Sequence, residues 1–103
     1  MKLALLAATL FASVASARYF ELYENANYGG PFWGEYRNND GACWDIGEGG
    51  RKASSVKEYS GTGACTTFYD KKGCAGGKWV QRGDAPTVPA FLNDNIWSFR
   101  NSC

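Results

Sequence analysis

The chain has 103 residues, four cysteines, no histidine, and 11 basic against 10 acidic residues. The lack of histidine removes the commonest general base and every triad built on it, and the balanced charge lacks the basic footprint of a nucleic-acid or anionic-membrane binder. A chain this short buries only about two-thirds of its unfolded surface, so covalent staples are expected to supplement the core.

The chain opens on a targeting signal. Lys2 gives a positive start, Leu3 to Val14 is apolar, and Ala15-Ser16-Ala17 supplies the small-x-small pattern of a cleavage site. The apolar stretch is too short to span a bilayer, and Arg18, Glu21 and Glu24 follow at once. Residues 1–17 therefore read as a cleaved secretory signal, and the expected product is an extracellular domain of residues 18–103 with no net charge and no membrane span. In an oxidising compartment Cys43, Cys65, Cys74 and Cys103 are expected to form two disulfides, for which the sequence alone permits three pairings. With no C-x-x-C pair and no histidine, they do not read as a zinc site.

Residues 18–103 read as all-β. Tyr19, Glu21 and Tyr23 alternate with Phe20, Leu22 and Glu24, which predicts a strand with one face on the core. Turn clusters then punctuate the chain at Tyr28-Gly29-Gly30-Pro31, Asn38-Asn39-Asp40-Gly41, Gly47-Glu48-Gly49-Gly50 and Gly61-Thr62-Gly63. Short strands bounded this way predict a two-sheet sandwich or a barrel.

An internal repeat narrows the choice. Phe20-Glu21-Leu22-Tyr23-Glu24-Asn25-Ala26-Asn27-Tyr28-Gly29-Gly30 is echoed by Thr66-Thr67-Phe68-Tyr69-Asp70-Lys71-Lys72-Gly73-Cys74-Ala75-Gly76-Gly77. In both, an acid follows an aromatic, and a glycine falls seven residues after that aromatic. Each copy ends in a short Ser-apolar-basic strand, Ser55-Val56-Lys57 and Ser98-Phe99-Arg100. Half-length repeats that cannot bury a face alone pair around one core.

The segment Tyr23 to Gly30 resembles the first-strand signature of the βγ-crystallin Greek key: an aromatic, four residues, an aromatic, one residue and glycine. The resemblance covers residues 18–103, with motif 1 at about 18–60 and motif 2 at about 64–103; motif 2 departs from it by carrying Cys74 in place of the second aromatic. It implies a two-sheet Greek-key sandwich of about eight strands, in which each sheet takes strands a, b and d of one motif and strand c of the other. On that topology the implied pairings are Cys65–Cys74 and Cys43–Cys103.

The resemblance also raises calcium. The family pattern is Asn/Asp, Asn/Asp, two variable residues, Ser/Thr, Ser. Motif 1 presents Gly50-Arg51-Lys52-Ala53-Ser54-Ser55, losing both oxygen donors; motif 2 presents Asn93-Asp94-Asn95-Ile96-Trp97-Ser98, losing the hydroxyl. Because family sites combine one motif's hydroxyl with the other's acid, Ser54, Asp94 and the Glu24 backbone are the candidates for one residual calcium site. The competing expectation is that Asn93 and Asp94 only cap an arch and that Ser55 and Ser98 are structural.

Other candidates come from residue chemistry. Glu21 with Glu24, and Asp40 with Asp45, are close in sequence, but nothing places them across a shared cleft, so no catalytic pair is expected. Among the aromatics Trp33, Trp44, Trp79, Trp97, Tyr36 and Tyr59, most are expected in the core, and Trp33 and Trp79, beside glycine turns, are the candidates for an exposed ligand-binding pair. The segment Gly83 to Ala90, with Pro86 and Pro89, suits either a rigid inhibitory loop or a plain crossover. The resemblance to small microbial antifungal and killer-toxin-like proteins implies a non-catalytic extracellular role in binding or defence, with cell-wall carbohydrate or a secreted protein as partner. A structural or stress-type crystallin domain is the alternative, and a secreted protease inhibitor is a further one.

Overall fold

The computed structural model describes residues 17–60 and 64–103; apart from Ala17, the segment expected to be a cleaved signal lies outside the described residues, as does the turn expected at Gly61-Thr62-Gly63. Seven strands are described: β1 (Ala17–Asn25), β2 (Gly29–Asn38), β3 (Cys43–Asp45), β4 (Ser55–Glu58), β5 (Cys65–Lys71), β6 (Ala75–Arg82) and β7 (Ser98–Arg100). They form two antiparallel sheets with strand orders β2-β1-β4 and β3-β7-β5-β6. Strand β3 of the first motif thus lies in the second motif's sheet, the exchange that the resemblance to the βγ-crystallin Greek key implied. The reciprocal strand is reduced to one bridge, in which the Ala85 and Val56 amides each donate to the other's carbonyl at 2.8 and 3.0 Å. Pro86 follows Ala85 directly and Pro89 comes shortly after, and proline lacks the amide needed to extend the bridge.

Between the sheets lies one core of Phe20, Leu22, Ile46, Ala53, Val56, Phe68, Ala85, Val88, Leu92, Ile96 and Phe99. Phe20 meets Phe68 and Phe99 edge-on, with ring centroids 5.3 and 5.0 Å apart, so a single residue of β1 ties the three-stranded sheet to the four-stranded one.

The first strands of both motifs end in the same folded hairpin. Asn27 and Tyr28 take left-handed backbone at φ 56° and 61°, as do Gly73 and Cys74 at 73° and 56°. Ser55 Oγ donates to Asn25 O and accepts the Tyr28 amide; Ser98 Oγ donates to Lys71 O and accepts the Cys74 amide. Both serines are completely buried, which is the structural role expected of them.

The disulfide pairing differs from the implied one: Cys43 bonds Cys74 and Cys65 bonds Cys103, each with Cα atoms 6.0 Å apart. Strand register explains the correction. Cys65 faces Arg82 across β5 and β6, whereas Cys74 sits in the turn at the opposite end of that hairpin. In the β5–β7 pairing Thr67 faces Arg100, so the chain running on from β7 carries Cys103 back to Cys65. The folded turn leans over β7, where the Cys74 amide reaches Ser98, and the next strand beyond β7 is β3, which carries Cys43. Paired cysteines of this kind fit an oxidising compartment.

Candidate functional site

The outer face of the three-stranded sheet is built by the alternation of β1. Phe20 and Leu22 enter the core, so Tyr19, Glu21 and Tyr23 point away from it. Across the β1–β2 ladder Tyr19 faces Tyr36, Glu21 faces Gly34 and Tyr23 faces Phe32. Tyr59, just beyond β4, comes to 5.6 Å from Tyr19, and Tyr28 from the hairpin stands edge-on to Tyr23 at 6.0 Å. Six aromatic rings therefore share one face, and Tyr36, Phe32 and Tyr59 are 64, 53 and 52% exposed.

Glu21 is the hub of this face. Its carboxylate accepts the hydroxyls of Tyr19 at 2.7 Å, Tyr23 at 2.5 Å and Tyr59 at 2.9 Å. Partial burial under these rings pushes the carboxyl pKa up, but the three hydrogen bonds, Tyr23 foremost, outweigh it and hold the pKa below the ordinary glutamate value. In return, the bond to Glu21 pushes Tyr19 up to about 12, and Tyr23 also rises, chiefly through the same carboxylate. The donors of these hydroxyls are engaged internally, which leaves their oxygens as acceptors for a ligand. Gly34 opposite Glu21 keeps the centre of the face open, because a Cβ there would stand 2.5 Å from Tyr19 Oη.

The tryptophans expected to form a ligand-binding pair lie elsewhere. Trp33 faces Leu22 across the ladder and is half-buried against Gly49, where a Cβ would meet the indole at 2.3 Å. Trp79 is half-buried in the other sheet, stacked on Phe68 at 5.8 Å. The chain's own cations stand over the other indoles as well as Trp33: Lys52 over Trp33 at 6.0 Å, Arg37 over Trp44 at 4.7 Å and Arg51 over Trp97 at 3.9 Å. The open aromatic surface is made of tyrosine and phenylalanine instead. Its signal in the sequence was the Tyr19-Glu21-Tyr23 alternation; Phe32, Tyr36 and Tyr59 join only through strand pairing.

The two calcium-motif stretches meet different fates. Glu24, Ser54 and Asn93 line one open cleft of about 460 Å³, together with Asn25 and Thr87. Asp94 does not line it: it is exposed, with left-handed backbone at φ 57°, and its amide donates to Ala53 O at 3.0 Å. The cleft thus offers one carboxylate, the hydroxyls of Ser54 and Thr87 and the side-chain amides of Asn25 and Asn93, a set with a single negative charge for an ion that takes six to eight oxygens. The other stretch does not fit calcium. Gly50 is buried so tightly that a Cβ would lie 2.1 Å from Ile96 O, and Arg51 places its guanidinium where the second oxygen donor is missing. Among the described residues, no three of His, Cys, Asp and Glu gather to hold a metal.

The segment from Gly83 to Ala90 is laid against the sandwich. Ala85 and Val88 are buried, Pro86 O accepts the Asn27 amide, and the Val88 amide donates to Ser54 O. Of the sequence-adjacent acids, Glu21 is held by tyrosines, Glu24 lines the cleft, Asp45 Oδ1 accepts the Gly73 amide and Asp40 Oδ1 the Ala42 amide. Among the described residues, no helix is long and apolar enough to cross a membrane.

No family model matches the sequence, and no curated protein is significantly similar to it. Solved structures are. A βγ-crystallin domain from Clostridium beijerinckii superposes with a TM-score of 0.63 at 22% identity, over 79% of this chain and 93% of that one. A βγ-crystallin from an archaeon gives 0.60 at 22% identity, over 84% and 99%, and one from Ciona intestinalis gives 0.60 at 17%, over 82% and 99%. The fold is therefore that of the βγ-crystallin domains. In particular, it is a single double-Greek-key domain stapled by Cys43–Cys74 and Cys65–Cys103.

Proposed function

We propose that this is a secreted, non-catalytic binding protein that acts in defence or antagonism at a cell surface, and that cell-wall carbohydrate is its ligand. The observation that carries the reading is the outer sheet face, with six aromatic rings around one carboxylate. Two cross-strand rows, Tyr36-Tyr19-Tyr59 and Phe32-Tyr23-Tyr28, run across neighbouring strands with ring spacings of 6.0, 5.6, 5.5 and 6.0 Å. Sugar rings present C–H faces that stack on such aromatics, while their hydroxyls donate to the tyrosine oxygens. A contiguous exposed aromatic patch marks an interaction surface, and Lys57, opposite Glu21 on β4 and 4.9 Å from the Tyr28 ring, balances the central carboxylate, which suits a neutral partner. The signal-like leader and the paired cysteines support export.

The test is co-sedimentation with insoluble chitin, β-glucan and cellulose, joined to a growth assay on fungal and bacterial cells. Retention on one polysaccharide, lost in the Phe32→Ala/Tyr36→Ala variant, supports the reading; no retention and no growth effect sinks it.

A second reading, a structural domain with one residual calcium ion, is favoured by the cleft that gathers Glu24, Ser54 and Asn93. It requires a rise in melting temperature in millimolar calcium that Ser54→Ala removes. An inhibitory role for residues 83–90 is weakened because Ala85 and Val88 are buried and their amides are bonded to Val56 O and Ser54 O, which ties the segment down to the sandwich.

A further inference from the structure

We propose that Arg51 is a built-in cation that closes the second junction between the motifs and makes it independent of metal. Arg51 is the last residue of the 3-10 turn Glu48–Arg51, whose Gly49 and Gly50 are buried, and its Nη1 donates to two main-chain carbonyls, Ile46 O at 2.8 Å and Ile96 O at 3.2 Å. One carbonyl belongs to motif 1 and the other to motif 2, so a single positive charge bridges the halves. Carbonyl oxygens that converge from two segments on one positive centre are the arrangement a hard cation takes, supplied here by a side chain.

The surroundings are shaped for the guanidinium. Its Cζ lies over the Trp97 ring, 3.9 Å from the centroid, and Lys72 Nζ stands 5.9 Å from the same centroid. Trp97 is fixed on its own account: its indole donates to Asn95 Oδ1 at 2.8 Å, and its amide donates to Tyr69 O at 2.9 Å. The backbones close around the pair, with the Ile96 amide on Gly50 O and the Ile46 amide on Trp97 O, both at 2.9 Å. Gly50 is required for that approach, since any side chain there collides with Ile96 O and Ile46. Arg51 and Trp97 thus stand where the family pattern has an acid and a hydroxyl, and together they supply the positive charge and its stacking platform.

Thermal melts of three variants test this. Arg51→Met keeps the hydrocarbon stem but removes the charge, and its melting temperature is expected to fall by about 8–16 °C. Arg51→Lys is expected to recover part of that loss, because a cation still meets the two carbonyls. Equal losses in Met and Lys overturn the proposal, since they reduce Arg51 to packing and stacking. In Arg51→Asp/Trp97→Ser, which restores an acid and a hydroxyl beside the carbonyls, calcium at millimolar concentration is expected to raise the melting temperature by more than it does in the native chain. If the double variant folds and calcium moves it no more than the native chain, the junction is not a cation position and the proposal fails. If it does not fold, the Met and Lys comparison decides.

Discussion

Tyr28 and Cys74 hold one structural position in the two folded hairpins, each with left-handed backbone and each donating its amide to a completely buried serine. What differs is how the position is fastened. Tyr28 packs edge-on against Tyr23 within its own motif, whereas Cys74 is bonded across β7 to Cys43 of the other motif. The covalent staple therefore replaces an aromatic contact and adds a link between the halves. Replacing Cys43 and Cys74 together by alanine is expected to lower stability by about 3–4 kcal/mol, from the 31-residue separation they close. Ser55→Ala and Ser98→Ala should each cost about 1–3 kcal/mol, because each removes a completely buried hydroxyl that holds one amide and one carbonyl of the folded hairpin. Urea unfolding measures both, and a non-reducing peptide map recovers the two pairings directly.

Much of this was legible in the sequence. The repeat located both hairpins and both closing strands, and the aromatic-to-glycine spacing marked Gly30 and Gly76, whose φ values are 76° and 84°, but not the left-handed Asn27, Tyr28, Gly73 and Cys74. The exchange of β3 between sheets came only with the resemblance to the βγ-crystallin Greek key. The disulfide pairing did not, because it depends on which way the folded turn leans, and that is set by the contact of Cys74 with Ser98 in space. The aromatic face was half legible for a related reason: alternation in β1 shows that Tyr19, Glu21 and Tyr23 share a side, but their neighbours arrive by pairing. Arg51 was legible only as a lost calcium ligand, since its carbonyl partners lie 5 and 45 residues away.

Arg18 should be the costliest single arginine to lose. It is 4% exposed and inserts between the sheets, bonding Glu58 at 2.7 Å, Thr66 Oγ1 at 2.9 Å and Cys65 O at 2.8 Å. Its ion-pair partner is equally buried, with 2% of the Glu58 side chain exposed. Arg18→Ala leaves that carboxylate uncompensated, and the expected loss is about 3–5 kcal/mol. Converting both residues, Arg18→Met with Glu58→Leu, should cost clearly less. A double variant as unstable as Arg18→Ala would contradict this account.

The Glu21 cluster gives stability a pH dependence at both ends. Glu21 has a folded pKa below its unfolded value, so its contribution is present above the ordinary glutamate range and is lost as pH falls through the lowered folded value. Tyr19 and Tyr23 have raised folded values, so theirs is present below the unfolded tyrosine pKa of about 10 and is lost as pH rises, for Tyr19 through about 12. Glu21→Gln removes the common partner. Ultraviolet titration of the native chain should show tyrosines that resist ionisation beyond the ordinary range. In the variant their curve should move back towards about 10; an unchanged curve rules out Glu21 as the cause.

Gly34 offers a way to damage the proposed binding face while sparing the core. It is exposed, its backbone is not left-handed, and an added Cβ meets the ring and hydroxyl of Tyr19 at 2.5–3.0 Å. The Tyr19 hydroxyl is held by Glu21 and its ring lies beside those of Tyr36 and Tyr59 on an open face, so the ring should shift rather than the sheet distort. Gly34→Ala is therefore expected to lower the Tyr19 pKa and weaken polysaccharide retention by about 2- to 10-fold, the worth of one aromatic contact. Its melting temperature should change by less than that of Arg18→Ala. If Tyr19 titrates normally in Gly34→Ala but retention is undiminished, the ligand does not lie across Tyr19 and Tyr36, and the row of Phe32, Tyr23 and Tyr28 is left as the place to test.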